Sequence, residues 1–287
     1  MRLPSLLVVT GSGVVVTLDG AVVDTFAPAV YADDPMLLRG DGVFETLLVR
    51  DGRACLLGAH LARLATSAVI TGLPAVDPIR WHAAIDTALA TWTGDGDAVL
   101  RLVLGRGRHA APTGFVTISA VPDRAVAARR NGVAAVTLER DAAPEPWSLA
   151  RVKSLSYAVN AAALRHAERH GARDVVFVGS DGAVLEGPRS TVVIAIDDGT
   201  LLTPPASLPI LPGTTVRALL DEAGDRGLPC GQRPIGQADL LAAQGVWLLS
   251  SVTLAARVHT LDGVALRPAP RALEMTALLD AAIMREG

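Results

Sequence analysis

Arg151-Val152-Lys153-Ser154-Leu155-Ser156-Tyr157 holds the single lysine of a 287-residue chain whose Lys and Arg together number 26. A sequence that uses arginine for every other basic side chain keeps lysine where a guanidinium would fail. The property that separates the two is proton loss. A desolvated ammonium becomes a nucleophilic amine, whereas a guanidinium stays charged. Lys153 is therefore a candidate Schiff-base lysine. Its count alone fits equally well a lysine that survived in a lysine-poor composition, so the residues around it decide.

Half of the chain is hydrophobic, enough for a large core in one domain or two. The net charge of −3 and pI near 6.1, with arginines scattered among acids, exclude a basic nucleic-acid surface. Cys55 and Cys230 are too few for a disulfide framework. His60, His82, His109, His166, His170 and His259 show no metal-ligand spacing. The expectation is no metal and a reducing, cytoplasmic compartment. No run of about 18 apolar residues suggests a membrane span. Residues 1–13 lack a signal-peptide pattern and read as a disordered leader.

Asp-Gly pairs punctuate the chain. Asp19-Gly20 separates Val14–Leu18 from Ala21–Val23, and reads as a type I′ hairpin turn because such turns need positive φ. The device recurs at Asp51-Gly52, between Val43–Val49 and Arg53–Leu57, and at Asp181-Gly182, between Val175–Val178 and Ala183–Leu185. Asp198-Gly199 and Asp262-Gly263 look alike, so mainly antiparallel sheet is expected. Helices are expected at Ala59–Thr71, from Asp77-Pro78 to Trp92, at Tyr157–His170, from Thr214 to Gly227 and from Pro270 to Met284. Further strands are read at Ala98–Leu104, Phe115–Ala120, Val133–Leu138, Thr191–Ile196, Val246–Leu249 and Ala256–Leu261. The composition shift across Val121–Arg130 places a joint between an N-terminal unit, 14–124, and a C-terminal unit, 125–287. The fold class is α+β.

Three features at element ends suit a lysine that bonds a pyridine-ring cofactor. Glu186, after Ala183-Val184-Leu185, could face the ring nitrogen and keep it protonated as an electron sink. Leu211-Pro212-Gly213-Thr214-Thr215 opens a helix whose free N–H groups and two hydroxyls can hold a phosphate. Arg63, in His60-Leu61-Ala62-Arg63-Leu64, could add a bidentate cation. Taken singly, each has an ordinary structural alternative: strand-end Glu, Thr cap, solvated Arg.

Their joint order resembles the class IV (fold-type IV) pyridoxal-phosphate enzymes. That family includes branched-chain and D-amino-acid aminotransferases and aminodeoxychorismate lyase. The resemblance runs from about Val14 to the end. It rests on Arg39-Gly40-Asp41-Gly42-Val43-Phe44-Glu45-Thr46, His60-Leu61-Ala62-Arg63-Leu64, Lys153 to Tyr157 with Asn160, Leu185-Glu186-Gly187-Pro188 and Leu211 to Thr215. It implies Lys153 as the lysine that bonds pyridoxal 5′-phosphate, and Glu186 as partner of the pyridine nitrogen. Arg63, Thr214, Thr215 and Ser251 would then lie around the phosphate, with Tyr157 also at the cofactor. It further implies a smaller N-terminal α/β domain, a larger C-terminal pseudo-barrel domain and a homodimer.

The run Lys153 to Asn160, with Glu186-Gly187-Pro188-Arg189-Ser190-Thr191, is most similar to the lyase members, which release pyruvate and form 4-aminobenzoate in folate biosynthesis. Glu45 instead resembles the aminotransferase members, and Thr191 stands where many members carry Asn. A carboxylate-bearing substrate needs cations, for which Arg106, in Gly105-Arg106-Gly107-Arg108-His109, and Arg189 are the candidates.

Overall fold

The computed structural model describes residues 13–24, 30–75, 77–108, 111–140 and 147–285. His109, the loop Asp141–Pro146 and, apart from Gly13, the expected leader lie outside the described residues.

The first half runs β1 (Val14–Thr17), β2 (Val22–Val23), α1 (Pro35–Arg39), β3 (Gly42–Arg50), β4 (Arg53–Ala54), α2 (Leu57–Ile70), α3 (Pro78–Thr91), β5 (Ala98–Arg108) and β6 (Ala111–Ala120). Its six strands form a sheet in the order β2-β1-β6-β5-β3-β4, with every neighbour antiparallel. One face buries Leu47, Leu100, Leu102 and Ile118 against Leu64 of α2 and Trp81 and Ile85 of α3. Asp77 caps α3 as expected, its carboxylate accepting from Ile79 N at 3.0 Å, with Pro78 in the first turn.

The chain leaves this sheet through α4 (Asp123–Asn131). It continues as β7 (Val133–Glu139), α5 (Ala158–Arg169), β8 (Asp174–Val178), β9 (Thr191–Ala195), β10 (Leu201–Thr203), α6 (Thr214–Asp225), β11 (Cys230–Gln232), α7 (Gln237–Ala242), β12 (Gly245–Ser250), β13 (Leu254–Leu261), β14 (Val264–Ala265) and α8 (Ala272–Ile283). The second sheet has eight strands in the order β11-β10-β9-β12-β13-β7-β8, with β14 on β13. Its central strands are buried on both faces and so read as continuous apolar runs. Val192 and Ile194 join one cluster with Val246 and Leu248. Their neighbours Val193 and Ala195 join another with Trp247, Leu249, Leu219 of α6 and Leu278 of α8.

The strands pair mainly antiparallel, as expected, but the second sheet is mixed, because β7 pairs in parallel with β13 and β8, and β10 with β11. Three expectations change. Positive φ at both turn residues, which type I′ requires, occurs at Asp51-Gly52 and Asp262-Gly263. At Asp19-Gly20, Asp181-Gly182 and Asp198-Gly199 only the glycine has it. Arg53–Leu57 is a strand only to Ala54, since Leu57 already starts α2. Ala183–Leu185 folds back on β8 across the Asp181-Gly182 turn, with Leu185 N donating to Phe177 O at 2.9 Å and Phe177 N to Glu186 O at 2.8 Å, but it forms isolated bridges, Val184 to Val178 and Ala183 to Gly236, and no regular strand.

Candidate active site

The Lys153 stretch is fastened to β3. Phe44 N donates to Lys153 O at 2.9 Å, Leu155 N donates to Gly42 O at 2.8 Å, and Val43 bridges Ser154. This fit leaves no room for a side chain at position 42, where a Cβ would stand 2.8 Å from Leu104 O and 2.6 Å from Leu155 Cδ1. The anchored main chain directs the Lys153 side chain into a cavity of about 880 Å³ lined from both sheets. Its Nζ lies 4.5 Å from the centre of the Phe44 ring. Burial brings the Lys153 ammonium down to about 8, helped by Arg63 and Arg101 and opposed by Glu45 and Glu186. A free amine is thus accessible near neutral pH.

Glu186 lines the same cavity and is 9% exposed. Arg140 donates to its Oε1 at 3.0 Å, and Leu211 N donates to Oε2 at 3.0 Å. Burial pushes the Glu186 carboxyl above the usual carboxylate range, against the pull of Arg140, the Leu211 N–H and Lys153. Arg140 also stacks over Phe177 at 4.5 Å, which fixes its plane. Sequence reading missed Arg140: it follows β7 directly and carries no local motif.

At the other wall, α6 starts with Gly213 as N-cap and no side-chain cap, so its first N–H groups remain open. Thr214, Thr215, Thr191, Ser250 and Ser251 present hydroxyls to this corner of the cavity. Thr215 Oγ1 and Ser251 Oγ are 3.3 Å apart. His60 Nε2 lies 3.2 Å from Thr214 Oγ1 and 3.3 Å from Ser251 Oγ, while Nδ1 is 2.7 Å from Glu45 Oε2. A carboxylate only accepts, so Nδ1 carries the proton, and in the neutral ring Nε2 accepts from a hydroxyl. Burial lowers the His60 pKa in spite of Glu45 and favours that neutral ring.

Arg63 reaches the same corner with its fork closed on Glu45. Nε donates to Oε1 and Nη2 to Oε2, both at 2.7 Å, and Nη1 donates to Pro212 O at 2.8 Å. Burial pushes the Glu45 carboxyl up, but Arg63 and His60 outweigh it and hold it at about 2. The contact between Glu45 and His60 was not revealed by residue spacing, because it crosses from a strand to the helix packed on it.

Tyr157 lines the cavity, its ring edge-on to Phe44 at 5.6 Å and its hydroxyl donating to Pro188 O. Arg189 also lines it, with Nη2 4.0 Å from Asp174 Oδ2. Arg106 is not brought to this cavity. Its guanidinium donates to Asp41 at 3.1 and 3.2 Å, to Gly72 O at 2.6 Å and to Thr71 O at 2.9 Å. Those bonds use all three nitrogens in joining β5 to the end of α2. The structure therefore gathers Lys153, Glu186, Arg63, Thr214, Thr215, Ser251, Tyr157 and Arg189 around one cavity and leaves Arg106 out.

Residues 42–261 match the family model described as Amino-transferase class IV. A Mycobacterium tuberculosis protein named "Bifunctional aminodeoxychorismate lyase / D-amino acid transaminase" is 52% identical, covering 95% of this chain and 99% of that one. The PLP-bound form of a hypothetical aminotransferase from the same organism superposes with a TM-score of 0.91 at 53% identity, over 95% of this chain and 99% of that one. A fold IV transaminase from Curtobacterium pusillum gives 0.87 at 37%, over 94% of this chain and 98% of its own.

Proposed function

The chain belongs to the amino-transferase class IV family and is a pyridoxal 5′-phosphate enzyme of fold type IV, and on that premise we propose that it is a 4-amino-4-deoxychorismate lyase, releasing pyruvate and forming 4-aminobenzoate for folate biosynthesis. The residues present suit the cofactor. An amine, a carboxylate and an uncapped helix start with clustered hydroxyls share one cavity, and Ser190 Oγ is buried there without a hydrogen-bond partner among the described residues.

Lys153 would hold the aldehyde carbon, and Glu186, fixed by Arg140, would face the ring nitrogen. The α6 start, Thr214, Thr215 and Ser251 would hold the phosphate, with Arg63 beside them and Tyr157 flanking the ring. When bound, the cofactor supplies a carbonyl for the amine and a ring that takes up the electron pair released at the substrate carbon. Lys153 Nζ would also carry the substrate proton as general base and acid. Its lowered pKa suits both roles. Phe44 and Tyr157 close one side of the cavity with apolar surface, which keeps water from the amine.

The observation that carries the lyase reading is the 52% identity, across nearly the whole chain, to a relative named first for that activity. The same name ends with D-amino acid transaminase. That second reading, aminotransferase, is favoured by Glu45, whose carboxylate is built into the Arg63 and His60 network. Both would use one site in a cytoplasmic homodimer. The units 14–124 and 125–287 would flank that site.

Purified enzyme incubated with 4-amino-4-deoxychorismate is expected to form 4-aminobenzoate and pyruvate in equal amounts with no keto acid present. Amino-group transfer that depends on a keto acid, with no 4-aminobenzoate, would replace the lyase assignment by the transaminase one.

A further inference from the structure

The cavity carries more positive charge than an amine and a phosphate site require. Arg63, Arg101, Arg124, Arg140, Arg189 and Lys153 line it, against Asp174 and Glu186. Arg63 is answered by Glu45, and Arg140 by Glu186. Arg124, at the start of α4, makes no hydrogen bond or salt bridge among the described residues. Arg189 makes only the 4.0 Å approach to Asp174.

Asp174 itself stands at the start of β8, where its Oδ1 accepts from Val175 N at 2.9 Å. Burial pushes the Asp174 carboxyl up, against Arg189 and Arg124, so one crowded carboxylate serves two guanidinium groups. Donors left open on a cavity wall are costly until an acceptor arrives, and a second carboxylate answers such a fork in bidentate fashion.

The turn that carries Arg189 is rigid. Gly187 N donates to Ser190 O at 2.8 Å, and Pro188 O accepts from Asn160 Nδ2 at 2.8 Å and from Tyr157. Its position relative to the amine follows from contacts. Lys153 Nζ lies over Phe44, Phe44 packs against Tyr157, and Tyr157 is bonded to Pro188, the residue before Arg189.

We propose that Arg124 and Arg189, set around Asp174, form a carboxylate-binding subsite beyond the Phe44 and Tyr157 rings. The subsite selects amino substrates that carry a second carboxylate remote from the reacting amine. This deepens the function proposed above and rests on Lys153 being the reactive amine. Monocarboxylic amines leave the two guanidiniums to share Asp174 alone and are discriminated against in KM more than in kcat.

The test is equilibrium binding of isophthalate and of its monomethyl ester to the holoenzyme by titration calorimetry. Loss of one bidentate charge pair is expected to weaken binding about tenfold, so the ester should bind about tenfold less tightly than the diacid. Arg124→Gln and Arg189→Gln should each bring the diacid toward the ester's affinity. Asp174→Asn, which removes the competing internal carboxylate, should tighten the diacid, a sign that damage to the fold would not produce. Equal affinity of diacid and ester for the wild-type protein overturns the subsite, as does unchanged diacid binding in both arginine variants. Because no turnover is read, a failed 4-aminobenzoate assay sinks the lyase reading without altering this result.

Discussion

His60 Nδ1 sits 2.7 Å from Glu45 Oε2, with the two side chains 1% and 0% exposed. Glu45 thereby joins α2 to β3 while also clamping Arg63. Its folded pKa of about 2 lies below the ordinary 4.5, so its stabilising contribution is fully present above pH 4.5 and is lost as pH falls toward 2. The size of that contribution is about 3 kcal/mol. Glu45→Gln is expected to lower stability near neutral pH and to flatten this acid limb. Urea unfolding midpoints of both proteins between pH 7 and pH 3 check it, and parallel slopes would refute the assignment.

Lys153 supplies the second prediction. Lys153→Ala and Lys153→Arg should remove the cofactor-derived visible absorbance that borohydride bleaches, and with it the trapped mass increase on the peptide holding residue 153. Turnover should fall by about 10³-fold or more, the scale of a lost nucleophile and proton carrier. In the cofactor-free protein, reductive methylation of Lys153 should accelerate as pH rises through about 8, where the buried ammonium loses its proton. A rise delayed to the ordinary lysine value of 10.5 would contradict the desolvated setting.

Glu186 and Arg140 give the third. Glu186→Gln removes the carboxylate expected at the pyridine nitrogen and leaves the half-buried Arg140 beside a neutral group. The loss in kcat should be about 10²-fold or greater, with a shifted cofactor absorbance maximum. Arg140→Gln keeps the carboxylate but releases its orientation, so a smaller loss in the same spectral direction is expected. Loss of stability in either variant with no spectral change would make the pair purely structural.

Gly42→Ala is the fourth. The new Cβ would meet the Leu104 carbonyl of β5, which cannot yield without breaking the β3–β5 ladder, and Leu155 beside the lysine stretch. An overpacking cost of about 1–3 kcal/mol is expected, together with reduced cofactor affinity, measured by equilibrium dialysis. Wild-type cofactor affinity in this variant would show that the lysine stretch does not depend on that seam.

The chemistry of the site was legible where a residue type is hard to replace. A lone lysine, a Glu-Gly step after a turn and a Pro-Gly-Thr-Thr helix start, each ambiguous alone, together pointed to residues that the fold brings to one cavity. The partners that tune them were not legible. His60 looked isolated because Glu45 lies 15 positions away and meets it only once α2 packs on β3. Arg140 meets Glu186 across 46 positions. Arg106, which looked suited to a substrate, is consumed by Asp41 and two carbonyls because its strand ends beside the last turn of α2. The hairpins at Asp19-Gly20, Asp51-Gly52, Asp198-Gly199 and Asp262-Gly263 were legible, since the strands flanking each pair antiparallel, although only the second and fourth give positive φ to both turn residues. The parallel pairing of β7 escaped notice because its partners β8 and β13 are joined to it through long connections that leave no short-range signature.

Lys153 has a divided allegiance. Its peptide unit is stitched to the first sheet at Phe44, while the carboxylate expected to complete its chemistry is carried by the segment that follows β8 in the second. On the proposed roles, neither half of the chain expressed alone should assemble a competent centre, and a permuted or split version should regain it only as fast as the two sheets find one another.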